Sequence, residues 1–118
     1  MFALSDSKRL STQARQAIAA GPNFLSVVSY WEVMIKSMKG SLKLGDPSRW
    51  WQDALDELAA TPLTLRPRHI NEIQSLPLIH NDPFDRVLIA QAISEGLELV
   101  TTDRDIPRYA SERFCVVV

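Results

Sequence analysis

The sequence is short of cysteine, of glycine and of net charge, and each shortage excludes something. One cysteine in 118 residues cannot form an internal disulfide. Cys115 sits among valines and reads as a buried apolar thiol, a usage that suits a reducing cytoplasm. Glycine is scarce, and there is no Gly/Ser linker, low-complexity tract or internal repeat. The net charge is -1, so no global field draws nucleic acid to the chain; any such site must be a local basic patch beside acids. No apolar run approaches the ~20 residues that span a bilayer, and Met1 to Lys8 is polar where a secretory leader needs an apolar stretch. Cys/His spacing gives no zinc site: His80 reads as a structural loop residue, and His69 has no partner nearby in sequence. A Ser/His/Asp nucleophile set and a Gly-rich phosphate loop are also missing.

What is present fits one domain over residues 1–118, long enough to bury about two thirds of its unfolded surface without staples. Ser11 to Ala20 reads as a helix stopped by Gly21-Pro22, and Asn23 to Val28 as a buried strand. Ser29 to Met38 has helical spacing, with Trp31, Met34, Ile35 and Met38 on one face and Gly40 at the end. Asp46-Pro47 reads as an N-cap followed by proline at the first helical position, opening a helix through Ala60. Trp51 reads as core there, and Trp50 as a residue for an interface with another chain. Thr61 to Leu65 reads as a strand, and Pro67 to Leu76 as a short helix with Ile70 and Ile73 inward. Asp82-Pro83 opens a helix through Glu95, closed by Gly96; Leu97 to Thr101 and Phe114 to Val117 are strands flanking a helical turn at Asp103 to Tyr109. Strands alternating with helices, and written as continuous apolar runs, predict a mainly parallel sheet covered on both faces.

Carboxylates recur where such strands lead into helices. Ser29-Tyr30-Trp31-Glu32, Asp82-Pro83-Phe84-Asp85 and Thr102-Asp103-Arg104-Asp105 each stand at a helix start. Each string has capping-box spacing, and acids at helix N-termini are stabilised by the dipole by about 0.3–1 kcal/mol, so each can be read as a cap alone. The set has a second reading. Helix starts gather at one edge of a parallel sheet, and acids converging there repel unless a cation sits among them. Hard cations such as Mg²⁺ or Mn²⁺ take oxygen ligands of this kind, the makeup of a phosphodiester hydrolysis site.

The string His80-Asn81-Asp82-Pro83-Phe84-Asp85-Arg86-Val87-Leu88-Ile89-Ala90-Gln91-Ala92, with Glu95-Gly96-Leu97 and Leu99-Val100-Thr101-Thr102-Asp103, closely resembles PIN-domain toxins. These VapC-like ribonucleases are halves of bacterial toxin–antitoxin pairs. Ser26 to Lys36, with Ser29-Tyr30-Trp31-Glu32 and Ile35-Lys36, resembles the family's second acidic motif, and the likeness runs from about Leu4 to the C-terminus. It implies a three-layer α/β/α fold with a parallel sheet, Mg²⁺- or Mn²⁺-dependent cleavage of RNA, and inhibition by a cognate antitoxin, with a homodimer and no membrane as further expectations. Carried over by position, Glu32, Asp85 and Asp103 match three of the family's four acids and would hold the metal. Thr101 matches a hydroxyl position, and Ser29, Lys36, Asp82, Arg86 and Asp105 are supporting neighbours, Asp82 chiefly as a cap.

The chain departs from the family at its start. Members begin with a central strand ending in aspartate; here Met1 to Asp6 resembles the end of the following helix and its turn, so Asp6 is not the missing acid. The expectation is an absent first strand, through a late start site, a shortened chain or gene degeneration. Flanking strands that pair directly, an exchanged element in a dimer, or a partner segment would then fill the gap. Activity would be impaired by the lost acid. One rival is an inactive remnant that still dimerises or binds an antitoxin. The other is a phosphoacceptor signalling domain, whose aspartate, acid pair and lysine have no place in this sequence.

Overall fold

Proline and the acidic cap before it set two of the helices. In the computed structural model, which describes residues 2–3, 16, 18–40, 43, 45–77, 82–100 and 116–117, the strands are β1 (Phe2–Ala3), β2 (Asn23–Ser26), β3 (Ala60–Leu63), β4 (Leu99–Val100) and β5 (Val116–Val117). The helices are α1 (Val27–Met38), α2 (Pro47–Leu58), α3 (Pro67–Ile73) and α4 (Pro83–Glu95), and residues 18–20 are also helical. Asp46 caps α2 by accepting from Ser48 N at 3.0 Å, and Asp82 caps α4 by accepting from Phe84 N at 2.9 Å. Each satisfies a helix-start N–H that the helix itself cannot, while the following proline has no N–H to satisfy. Gly96 closes α4 in the left-handed region at φ 67°, where a Cβ would be strained.

The strands form one parallel sheet in the order β3-β2-β1-β4-β5, giving the expected three-layer α/β/α fold. The expected absence of a central strand is overturned. Phe2–Ala3 lies between β2 and β4, paired Phe2 with Phe24 on one side and Phe2 with Leu99 and Ala3 with Val100 on the other. A centre strand must offer ladder partners on both sides, and this apolar start supplies them without rearrangement of the sheet, exchange or a partner segment. Phe2–Ala3 is strand and not the end of a helix, and Asp6 lies outside the described residues.

Alternation along β2 sends neighbouring side chains to opposite faces. Leu25, fully buried, packs with Trp51 and Ala54 of α2, joined by Tyr30, Trp50, Leu55 and Leu58. Trp51 is therefore core, as expected, with Tyr30 stacked on it at 4.9 Å. Trp50 leans on the same cluster. The larger cluster joins Val28, Leu76, Leu99 and the buried stretch of α4 from Leu88 to Ile93, with Leu63, Ile73, Phe84 and Val87 against it. At one sheet edge, Pro62 in β3 removes a ladder donor, which suits an edge strand.

Several boundaries and faces differ from expectation: α2 ends at Leu58 rather than Ala60, β3 is Ala60–Leu63 rather than Thr61–Leu65, and α3 ends at Ile73 rather than Leu76. β2 stops at Ser26 and α1 starts at Val27, two residues earlier than the spacing predicts. The helix therefore buries Val28 and Ser29, while Trp31 and Met38 of the expected apolar face are 57% and 80% exposed. On α3, His69 is the buried residue and Ile70 is exposed. A seven-residue helix has too few turns for its apolar positions to fix its rotation, and the partners available on α4 decide it.

Candidate active site at two helix starts

Glu32 and Asp85 stand on two helices, α1 and α4, that pack against one another. Asp85 lies in the first turn of α4 and is 5% exposed. Its backbone N–H approaches the Asp82 carboxylate at 3.3 Å, so Asp82 holds both N–H groups of this turn, as its cap reading predicts. Glu32 lies in the second turn of α1, partly buried, with Lys36 Nζ 3.3 Å from its carboxylate. α1 and α4 pack together, and Trp31 and Phe84 meet edge to face with ring centroids 5.0 Å apart. Each ring precedes an acid by one residue.

Ser29 sits on the same side of α1 as Glu32, three residues before it, and does not cap the helix. The cap is Ser26, whose Oγ accepts from Val28 N at 3.0 Å, so the predicted Ser29–Glu32 capping box is overturned by the earlier helix start. Ser29 Oγ is instead buried without a hydrogen-bond partner among the described residues. Arg86, next to Asp85, is half-buried and engaged with a neighbour. Asp103, Thr101 and Asp105 lie outside the described residues, and among the described residues no three acid, histidine or cysteine side chains are grouped tightly enough to hold a metal ion.

A polar network that sequence reasoning missed runs through the layer behind these acids. Ser26 Oγ donates to Gln91 Oε1 at 2.6 Å, and Gln91 Nε2 reaches Thr64 O and His69 Nδ1, both at 3.4 Å. The Arg66 N–H donates to His69 Nδ1 at 3.0 Å, which assigns the ring proton to Nε2 and makes it the donor to Glu95 Oε1 at 2.7 Å. Arg68 Nε also donates to Glu95 Oε1, at 3.1 Å. The imidazole, then the guanidinium, hold the Glu95 carboxyl below its ordinary range. His69, which had no evident partner in the sequence, is thus fully buried and bonded at both ring nitrogens. The available signal was Gln91: a lone amide in an otherwise apolar stretch that the structure buries.

Acids at helix starts on a parallel α/β/α sheet define a class in which function sits beyond the carboxyl ends of the strands. The PIN domain family model matches residues 1–112, and the chain belongs to the PIN-domain family, whose members are generally nucleases using divalent metal ions. Among curated proteins, none gives a significant match. Among the described residues, no helix is long and apolar enough to cross a membrane.

Proposed function

We propose that this chain is a metal-dependent endoribonuclease of the PIN-domain toxin type, hydrolysing RNA phosphodiesters and inhibited by a cognate antitoxin. The observation that carries the reading is Asp85, a buried carboxylate at the start of α4, set against the helix that carries Glu32 in a chain of this family. Asp85 is engaged with a neighbour, and a divalent ion would add to what compensates its burial. The donors fit a hard divalent ion: carboxylate oxygens on two helices, with the orphaned hydroxyl of Ser29 on the Glu32 side of α1. When bound, Mg²⁺ or Mn²⁺ would supply a polarised phosphate oxygen and a water of lowered pKa. Glu32, Asp85 and Asp103 are the residues proposed to hold it, Asp103 and Thr101 on the strength of the family motif.

Each remaining side chain has a proposed task. Asp82 secures the first turn of α4 and so the direction of Asp85. Lys36 sets the Glu32 carboxylate from one turn away and offsets negative charge beside an RNA phosphate. Arg86 and Asp105 are supporting neighbours.

The deciding experiment is RNA cleavage in Mn²⁺ by the chain beside its Asp85→Asn variant. Cleavage that disappears in a folded variant supports the site. Cleavage that survives the change refutes it, and no cleavage by either protein turns the reading to an inactive remnant that dimerises or binds an antitoxin.

A further inference from the structure

Within the buried part of α4, the stretch from Leu88 to Ile93 is apolar except at Gln91, which is fully buried. An amide there is costly unless every polar atom finds a partner, and an apolar side chain would fill the space more simply. Its bonds suggest what it does. Gln91 Oε1 accepts from Ser26 Oγ, the N-cap of α1, and the same Oγ accepts from Val28 N, one turn before Glu32. Gln91 itself lies on the helix that Asp85 opens. The amide is held in one orientation from behind. His69 Nδ1 and Thr64 O lie before its Nε2, and Glu95, one turn further along α4, grips the other side of the same imidazole.

We propose that Gln91 and Ser26 are positioning residues for the acid pair: their hydrogen bond ties the first turn of the Glu32 helix to the body of the Asp85 helix. The proposal rests on the reading of Glu32 and Asp85 as the site. The ring contact of Trp31 with Phe84 sets how closely the two helix starts approach. Gln91–Ser26 sets their height and rotation, because a short, buried bond between a cap and a mid-helix amide tolerates little sliding. A shift of about 1 Å in a catalytic group can cost about a hundredfold in rate.

The test is a double-mutant cycle of Ser26→Ala and Gln91→Met, reading Mn²⁺ affinity by calorimetric titration and RNA cleavage as kcat and KM. Asp85→Asn is carried alongside. Trp51→Phe, in the core cluster of α2, serves as a variant weakened elsewhere. All are compared at equal folded fraction. Gln91→Met and Ser26→Ala should each weaken Mn²⁺ binding and lower kcat by about tenfold or more, with KM for RNA little changed, and the double variant should lose no more than the worse single one. Effects that add, or losses no greater than in Trp51→Phe, overturn the proposal while the site stands. Asp85→Asn that binds Mn²⁺ and cleaves like the parent refutes the site and the proposal with it. Should Gln91→Met fail to fold, Ser26→Ala alone decides, since full Mn²⁺ affinity in it would contradict the tie.

Discussion

Trp31 and Phe84 meet edge to face at 5.0 Å with their planes 80° apart, and each stands one residue before a candidate acid. The contact joins α1 to α4 near their starts. Such pairs add about 0.5–1.5 kcal/mol beyond their buried area. A cycle of Trp31→Ala and Phe84→Ala should show a coupling of about that size in urea unfolding. Additive losses would mean the rings merely lie near one another.

Asp82 separates a cap from a ligand. Asp82→Ala removes the acceptor for Phe84 N and Asp85 N and should lower stability by about 0.5–2 kcal/mol. Asp82→Ser keeps a cap without the charge and should recover most of that loss. If Mn²⁺-dependent cleavage also returns in Asp82→Ser, Asp82 acts through the helix; cleavage that stays absent would place its carboxylate on the metal.

Glu95 gives the fold an acid limb. Hydrogen bonds from His69 and then Arg68 hold its carboxyl below the ordinary value of 4.5. A carboxyl depressed in the folded state stabilises the protein fully above its unfolded pKa, and that contribution fades as pH falls from about 4.5 through the lower folded value. Glu95→Gln should therefore unfold less steeply with acid than the parent over that window. Identical slopes would show that the ion pair does not survive in solution.

Ala59 caps α2 in the left-handed region at φ 49°, where its Cβ is strained. Ala59→Gly should raise stability by about 0.5–1 kcal/mol, the relief being partly offset by a looser unfolded chain. The midpoint of thermal unfolding reports it, and a lower midpoint would contradict the strain.

How much of this was legible in the sequence follows the range of the interactions concerned. Asp46-Pro47 and Asp82-Pro83 announced α2 and α4 because a cap bonds only two or three residues onward. The same locality made Gly96 a readable stop and set Glu32 and Asp85 near helix starts. The two family motifs, one around Glu32 and one around Asp85, are likewise each a continuous string. Ser29 was misread as a cap because the sequence could not say that Ser26 would end the strand; a buried partner 65 residues away at Gln91 joins that choice.

The sequence by itself determined the alternation of strands and helices, the start of α2, both ends of α4, and the place of Glu32 and Asp85 near helix starts. Tertiary structure alone decided that Phe2–Ala3 stands at the sheet centre, that α1 leaves Trp31 and Met38 exposed, and that His69 turns inward where Ile70 was expected. The reason is physical. Caps and periods are satisfied within a turn of chain, whereas a central strand, a buried imidazole and a buried amide are stable only where partners from distant segments complete their hydrogen bonds.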